Sequence, residues 1–349
     1  MTESVPDRES SENERSQLAD SSVRSRKRIR RLLVVGSLLI LLFGPYLFYR
    51  ATSFGERVRV FSEDGPVAVA PETLRVMIWN IAHGRGVEDS NWSETAEPKV
   101  DRILEIAELI KQQDADVVIL NEVDYAATWS GNFDQAAAIA DVTGYPYYAR
   151  QTNLDFGFLV GRFKFGNVIL SRYPIVAAEA LDLPAFVAWE DWLVGRKRGL
   201  LCDIQLGEQQ IVVAGLHLEA RGEPSRIKSV KYLLERIQQL RSDGRPSLIL
   251  AGDLNTTPSH APNRKRKYTA EGYRLPNNSF DTLAEESGLT HVPAKITDAS
   301  QFTFPSTAPR SAIDWVFFDD ASFKATSHRV LQSELSDHLP VVVDLQIRK

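Results

Sequence analysis

The chain of 349 residues has an ordinary globular composition, with 43% hydrophobic and 25% charged residues and a formal net charge of −5. Its single cysteine, Cys202, excludes an intramolecular disulfide and argues against a cysteine-based zinc site. Residues 1–31 carry a net charge of +2, which leaves the remainder at −7. An acidic body argues against a general duplex-binding surface and fits a domain whose carboxylates hold a metal ion.

The N-terminal region combines a polar tail with an apolar run. Residues 1–31 are predicted to be a basic-ended cytoplasmic tail, disordered over its first 23 residues, which are rich in Ser, Glu and Asp. Residues 32–49 carry no charge and, as a helix, would span roughly 27 Å, close to the thickness of a hydrocarbon core. Six Lys and Arg residues lie in positions 24–31. The positive-inside rule therefore predicts a transmembrane helix with the body outside the cytoplasm, either periplasmic or extracellular.

Two other interpretations of this apolar run remain open. A buried core helix is disfavoured by the basic flank. A cleaved signal peptide is the closer alternative, but the run is longer than a usual signal core and no clear cleavage site follows it. These features favour an uncleaved anchor.

Residues 50–73 are predicted to be a linker, and residues 74–349 the catalytic domain. Residues 117–120 are apolar on both faces of a strand, which predicts burial on both sides. Two helices with one apolar face each are predicted to lie outside the sheets. The predicted fold is an α/β four-layer sandwich, with two packed mixed β-sheets flanked by helices. The helices are predicted at 98–113 and 225–240, and the strands at 75–81, 116–122, 167–171, 200–206, 210–218, 247–252, 313–318 and 340–346.

Polar side chains stand at six of the predicted strand ends. Each one alone has an ordinary structural explanation, such as a turn, a helix cap or a hydrogen-bonded core histidine. Together they offer four carboxylates, two amides and two imidazoles, which are costly to bury unless they are paired or bind a cation. If these ends converge, they form one polar cluster. The residues are Asn80, Glu122, His217, Asp253, Asn255, Asp314, Asp337 and His338.

These residues stand in short motifs that resemble the endonuclease/exonuclease/phosphatase superfamily, whose fold is that of deoxyribonuclease I. The resemblance covers about residues 74–349. One departure is Asn121, where glutamine is commoner in the family; little effect is expected, because the following Glu122 is the ligand. The matching motifs are MIWNI (77–81), VILNEV (118–123), GNVILSR (166–172), GLHL (215–218), GDLN (252–255), IDWV (313–316) and SDHLP (336–340).

The resemblance implies a hydrolase that uses Mg²⁺, with Mn²⁺ as the alternative ion, to help water attack a phosphoester. It implies that Glu122 is the first metal ligand, with Asn80 and Asp337 in support. Asp253 is expected to orient or deprotonate the attacking water. Asn255 is expected to hydrogen-bond the phosphoryl oxygens in the transition state.

The two imidazoles complete the set that the resemblance implies. His338 is expected to act on the phosphate or the nucleophile, with Asp314 fixing its tautomer and favouring the imidazolium. His217 is expected to contact the phosphate or the leaving group. Asn167 is expected to line the site as an amide.

Other segments are candidates for choosing the substrate. Arg264 and Lys265 begin a basic run that could attract an anion, or could form a solvated loop. An aromatic segment with Phe186, Trp189 and Trp192 could touch a bilayer, although packing beneath a loop is the more ordinary explanation.

Three functions were weighed on these observations. The first is a membrane-anchored phosphodiesterase or phosphatase acting on a lipid or small-molecule phosphoester, which the anchor and the acidic body favour. Residues 81–86 resemble proteins grouped with lipid-anchor remodelling factors and favour it further. The alternative is an extracytoplasmic DNA or RNA nuclease. An inactive binding domain is disfavoured because all the acids are present. The sequence identifies no protein partner.

Overall fold

A computed structural model describes residues 26–47, 57–62, 69–158, 161–187, 197–245, 247–261 and 278–348. The chain divides into two compact units, Met1–Gly55 and Glu56–Lys349. In the first unit, helix α1, Arg26–Leu47, is long and apolar enough to cross a membrane, and nearly all its side chains are exposed. The predicted span overlaps α1 as far as Leu47. The predicted tail up to residue 25, and residues 48–49, lie outside the described residues.

The second unit contains thirteen strands and four α-helices among its described residues. The strands are β1 Val58–Ser62, β2 Thr73–Asn80, β3 Val117–Ala127, β4 Tyr147–Phe158, β5 Gly161–Ser171, β6 Ile175–Leu181, β7 Gly199–Leu206, β8 Gln209–His217, β9 Leu248–Asp253, β10 Thr290–Val292, β11 Asp314–Phe318, β12 Phe323–Val330 and β13 Val341–Ile347. The helices are α2 Ala96–Gln113, α3 Gln135–Thr143, α4 Glu223–Ser242 and α5 Ser279–Glu286.

The strands form two mixed sheets. The first has the order β1-β4-β5-β3-β2-β13-β12, and the second has the order β10-β11-β9-β8-β7-β6. Only two neighbouring pairs in the described strands are parallel: β2 with β3, joined through α2, and β8 with β9, joined through α4. Parallel neighbours need such a crossover, and their carboxyl ends then meet at the same edge of the sheet.

Apolar side chains divide the unit into four layers. The two sheets pack face to face through a core that includes Ile119 of β3 and Val213 of β8. Helices α2 and α3 cover the outer face of the first sheet, for example through Ile106. Helices α4 and α5 cover the second sheet, for example through Leu233. The predicted four-layer sandwich is confirmed.

The eight predicted strands correspond to β2, β3, β5, β7, β8, β9, β11 and β13, and the two predicted helices to α2 and α4. Five strands and two short helices were not predicted. Four of those strands, β1, β6, β10 and β12, lie at sheet edges, where exposed polar residues interrupt the apolar pattern. Strand β1 falls within the predicted linker and pairs with β4, so the sheet includes residues before Leu74.

Candidate active site

The carboxyl ends of both parallel strand pairs meet in one polar cluster. Asn80, the last residue of β2, donates through Nδ2 to Glu122 Oε1 at 3.3 Å and to Asp253 Oδ2 at 3.1 Å. Glu122 lies on the first sheet and Asp253 ends β9 on the second, so one amide links the two sheets. His217 ends β8, with its Nε2 3.5 Å from Asp253 Oδ2 and 3.7 Å from Glu122 Oε1. Residues separated by up to 173 positions therefore share one site.

A histidine–aspartate pair adjoins this cluster. Asp314 begins β11 directly opposite Asp253 on β9. His338 Nδ1 lies 3.0 Å from Asp314 Oδ2, and its Nε2 lies 3.8 Å from Asp253 Oδ2. The indole Nε1 of Trp79 donates to the carbonyl oxygen of His338 at 2.9 Å, which holds the histidine backbone against β2. The structure thus brings the predicted pair together.

Asp337 and Glu122 are bridged by a residue that was not predicted. Arg85 donates to Asp337 Oδ2 at 2.5 Å and to Glu122 Oε2 at 3.4 Å. Two carboxylates expected to hold a cation are therefore within reach of one guanidinium. Arg85 stands five residues after Asn80, in the segment 81–86 that was noticed for its resemblance rather than for its chemistry.

The local backbone at the site is unusual. Glu122 (φ 55°) and Asn255 (φ 49°) adopt left-handed conformations that are uncommon for such residues and that concentrate at functional sites. Glu122 lies at an irregularity in the pairing of β3 with β5. Asn255 donates its backbone N–H to Asp253 Oδ1 at 2.9 Å and its side-chain Nδ2 to the carbonyl oxygen of Leu218 at 3.1 Å. These turns hold the Glu122 and Asn255 backbones in fixed positions beside Asp253.

Asn167 lies behind the site rather than at its surface, which corrects the expectation that it lines the site. It is fully buried. Its Oδ1 accepts from Asn121 Nδ2 at 2.8 Å, and its Nδ2 donates to Gln151 Oε1 at 2.9 Å and to the carbonyl oxygen of Arg198 at 2.7 Å. Asn121 in turn accepts from the backbone N–H of Asp253 at 3.0 Å. Asn167 therefore helps to position Asp253 through Asn121.

His83 is a third imidazole that sequence reasoning did not assign. Its Nδ1 lies 2.7 Å from Asp124 Oδ1 and its Nε2 lies 3.4 Å from Glu122 Oε2. Burial works against its charged form, but Asp124 and Glu122 outweigh burial and raise the pKa of His83. Its place three residues after Asn80 was the signal available in the sequence.

Lys197 is the third site residue that was not assigned, although it lies in a basic cluster at 196–198 that the sequence shows. Its Nζ lies 2.5 Å from Nε2 of His217. Burial, assisted by Lys197, lowers the pKa of His217 well below its usual value. His217 is therefore a neutral imidazole that accepts a hydrogen bond from Lys197.

The ionisation of the central groups follows from their surroundings. Burial opposes the charged form of Glu122, but the imidazole and cationic side chains around it hold its pKa well below its usual range. Burial raises the pKa of Asp253 to about 6. Burial opposes the imidazolium of His338, but Asp314 and Asp253 outweigh it and raise the pKa of His338 to about 10. At neutral pH the site thus combines a carboxylate able to take a proton with an imidazolium able to donate one.

A cavity of about 390 Å³ opens beside Glu122. Its lining includes the apolar side chains of Phe165 and Phe186, and the Arg221 guanidinium lies 4.3 Å from the centre of the Phe186 ring. The cavity is lined by His83, Glu122, Asn153, Leu154, Phe165, Pro184, Ala185, Phe186, Lys197, His217, Glu219, Ala220 and Arg221. The predicted substrate contacts Arg264 and Lys265, and the aromatic residues Trp189 and Trp192, lie outside the described residues.

The donor atoms at the site fit a hard divalent cation. Glu122 and Asp337 supply carboxylate oxygens, which Mg²⁺ prefers. Asn80 Oδ1 accepts from the backbone N–H of Ala82 at 3.0 Å, so this amide turns its NH₂ group towards the carboxylates. A separate triad suited to a metal is Asp253, Asp314 and His338, whose ligand atoms lie within 4.8 Å of one another.

The protonation of His338 favours the carboxylates around Glu122 over this triad as the place where a cation would bind. A ligating imidazole nitrogen must be unprotonated, whereas His338 has a raised pKa and is paired with Asp314. The carboxylate of Glu122 carries no such conflict, and Arg85 is the cation paired with it in this structure.

Comparison with known families agrees with this geometry. Residues 77–338 match the model of the Endonuclease/Exonuclease/phosphatase family. The chain belongs to this family. The match runs from the motif that ends in Asn80 to His338, and so includes every predicted site residue. No curated protein sequence matches the chain.

Solved structures of the family share the fold. The endonuclease/exonuclease/phosphatase of Beutenbergia cavernae DSM 12333 is 25% identical, with a TM-score of 0.60 over 79% of this chain and 72% of that one. The catalytic domain of human Nocturnin, solved with a bound sulfate, is 19% identical, with a TM-score of 0.56 over 83% and 98% of the two chains. A mannosyl-6-phosphatase of Bacteroides thetaiotaomicron VPI-5482 is 17% identical, with a TM-score of 0.57 over 78% and 99%. The second unit, Glu56–Lys349, thus has a hydrolase fold.

Proposed function

We propose that the chain is a divalent-metal-dependent phosphoester hydrolase, anchored in a membrane by α1 and with its catalytic unit outside the cytoplasm. The observation that carries the proposal is the convergence of Glu122, Asp253, Asp314 and His338 from both sheets at one edge. Helix α1 and the basic residues at its N-terminal end support the anchor and its orientation.

Glu122 is the first ligand of the cation in this proposal, and Asn80 and Asp337 support it. When bound, the cation neutralises charge on the phosphoester oxygens and stabilises the leaving oxygen. Arg85, between Glu122 and Asp337, adds positive charge at the same place.

Asp253 orients the attacking water and accepts its proton. Its pKa near 6 leaves it ionised at neutral pH but basic enough to take a proton. The Nε2 atom of His338 lies on the side of Asp253. Asp314 accepts the Nδ1 proton and so keeps the ring an imidazolium, which stabilises the negative charge that grows on the phosphoryl group. Asn255 donates a side-chain N–H to a phosphoryl oxygen. The neutral imidazole of His217 supports the leaving-group side.

A lipid or small-molecule phosphoester is the substrate class favoured. The acidic body and the membrane anchor support it, as does a cavity of small-molecule size beside Glu122. The structural relative named as a mannosyl-6-phosphatase makes sugar phosphates sensible test compounds.

A substrate panel with and without Mg²⁺ tests the proposal. The panel contains sphingomyelin, phosphoinositides, a sugar 6-phosphate, a chromogenic phosphodiester, plasmid DNA and RNA. We expect Mg²⁺-dependent hydrolysis of a lipid or small-molecule ester. Cleavage of only the nucleic acids would establish the nuclease alternative instead.

Variants connect the activity to the site. Glu122→Gln and His338→Ala are expected to lower turnover by about 100-fold or more, because each removes a charge that acts in the transition state. Glu122→Gln should also weaken Mg²⁺ binding in calorimetry. The exposed Glu105→Gln on α2 and the partly buried His328→Ala on β12 are the controls and should leave both unchanged. Near-wild-type rates in both site variants, with unchanged melting temperatures, would contradict the roles given to Glu122 and His338. A chain that neither binds metal nor turns over any substrate would be a binding domain.

A further inference from the structure

Lys197 lines the cavity directly before β7. Its Nζ donates to Nε2 of His217 at 2.5 Å and to the carbonyl oxygen of Leu218 at 3.0 Å. Both acceptors are uncharged. Within the described residues, no carboxylate oxygen lies within ion-pair distance of this ammonium. An ammonium has three N–H groups, so one remains for a ligand.

The other cationic groups around the site already have a carboxylate partner. An ion pair reduces the attraction of each of these groups for an incoming anion, whereas Lys197 has no carboxylate within ion-pair distance among the described residues. Burial lowers the pKa of Lys197, and the nearby carboxylates of Glu122 and Asp253 oppose that shift. The paired groups are Arg85 with Asp337, Arg221 with Glu219, His83 with Asp124 and His338 with Asp314.

The cavity limits what can be attached to the phosphate. Its volume of about 390 Å³ is in the range of small-molecule sites. Phe165 and Phe186 offer apolar surface, and Asn153 offers an amide for hydrogen bonding. These walls suit a compact alcohol with both apolar and hydroxyl surface, such as a sugar, a polyol or a nucleoside.

We propose that Lys197 binds a non-bridging oxygen of the substrate's phosphoryl group and makes the site select phosphate monoesters of compact alcohols over phosphate diesters. This inference rests on the proposed function and names its substrate class. Near neutral pH a monoester carries about −1.5 to −2 charges and three non-bridging oxygens, whereas a diester carries a single charge and two. A cation in a poorly solvated site therefore favours the monoester.

The test compares p-nitrophenyl phosphate with bis(p-nitrophenyl) phosphate at saturating Mg²⁺, using the full chain in detergent. Wild-type protein is expected to show the higher kcat/KM for the monoester. Lys197→Met should lower kcat/KM for the monoester by about 100-fold and for the diester by less than about 5-fold. Lys197→Arg should recover part of the preference. Lys231→Met, an exposed lysine on α4, is the matched control and should resemble wild type.

Binding of inorganic phosphate provides a readout that does not depend on turnover. In calorimetry, phosphate should bind Lys197→Met about 10-fold or more weakly than wild type or Lys231→Met, with unchanged melting temperatures. Equal losses on both esters, or unchanged phosphate affinity, would overturn the inference. If wild-type protein hydrolyses neither ester nor any compound of the substrate panel, the proposed function fails, and the phosphate titration still decides whether Lys197 binds the anion.

Discussion

At the scale of single residues, the site is a set of charges that determine one another's ionisation. Asp314 contacts His338 through Nδ1, and Asp253 faces the other ring nitrogen. The imidazolium is therefore placed between two carboxylates, of which Asp253 is the one next to Asn80 and Glu122. Asp253 is therefore the group that accepts a proton, and His338 is the group that keeps its proton.

The pKa values predict a bell-shaped pH dependence of kcat/KM. Activity should rise as Asp253 loses its proton near pH 6 and fall as His338 loses its proton near pH 10. Asp314→Asn removes a carboxylate that raises the pKa of His338, so the alkaline limb should move to lower pH. The measurement is kcat/KM against pH for wild type and variant. The exposed Asp320→Asn serves as the control, and an alkaline limb that does not move would contradict the role of Asp314.

At the scale of elements, the two parallel strand pairs explain why the site is where it is. Each sheet contains one β-α-β unit, β2-α2-β3 or β8-α4-β9, and the polar residues follow the strands at their carboxyl ends. Close approach of β8 and β9 is needed at this edge. Gly252, immediately before Asp253, has a φ of +133°, and a Cβ atom there would lie 2.1 Å from the carbonyl oxygen of Leu216.

Gly252→Ala should therefore both unfold the protein more easily and disable the site. We expect a loss of more than about 2 kcal/mol in the free energy of unfolding, because backbone must move to admit the methyl group. Chemical denaturation measures it. Gly244→Ala is the control, since Gly244 also has a positive φ but has no atom within 4 Å of its Cβ position. A loss of about 1 kcal/mol is expected there, and equal losses in the two variants would show that the contact with Leu216 is not the cause.

At the scale of the whole molecule, the chain consists of a helix with exposed apolar side chains and a unit that has its own core. Unit Glu56–Lys349 buries three apolar clusters between and outside its sheets. Helix α1 belongs to the other unit. Apolar side chains that are exposed along most of a helix are unfavourable in water and are normally covered by lipid or by protein.

A chain that begins at residue 56 tests whether the first unit supplies only the membrane attachment. We expect this variant in the soluble fraction after cell lysis, with kcat and KM for a soluble ester within about 2-fold of the detergent-solubilised full chain, because the variant keeps β1 and every site residue. The full chain should remain in membranes after a carbonate wash. Truncated protein that still sediments with membranes would show that another surface also binds them.

The sequence by itself determined the layers, most of the interior strands and the polar residues that stand at their ends. Buried strands such as β3 and β9 are recognisable because both of their faces are apolar, and helices α2 and α4 because one face is. Polar residues such as Asp253 are conspicuous because they interrupt those patterns at strand ends. These features are local, so they can be recognised without knowing which strands are neighbours.

Only the tertiary structure decided which polar groups face the cavity and which stand behind it. Asn167 is an asparagine beside an apolar run, as Asn80 is, yet it lies in an amide chain through Asn121 that supports Asp253. His83 and Lys197 are marked in the sequence only by their places, three residues after Asn80 and within a basic cluster. They reach the site because a left-handed turn at His83 and the segment just before β7 bring them beside Glu122 and His217. The physical reason is that contacts and burial across two sheets depend on pairing between distant strands, which no local pattern of residues records.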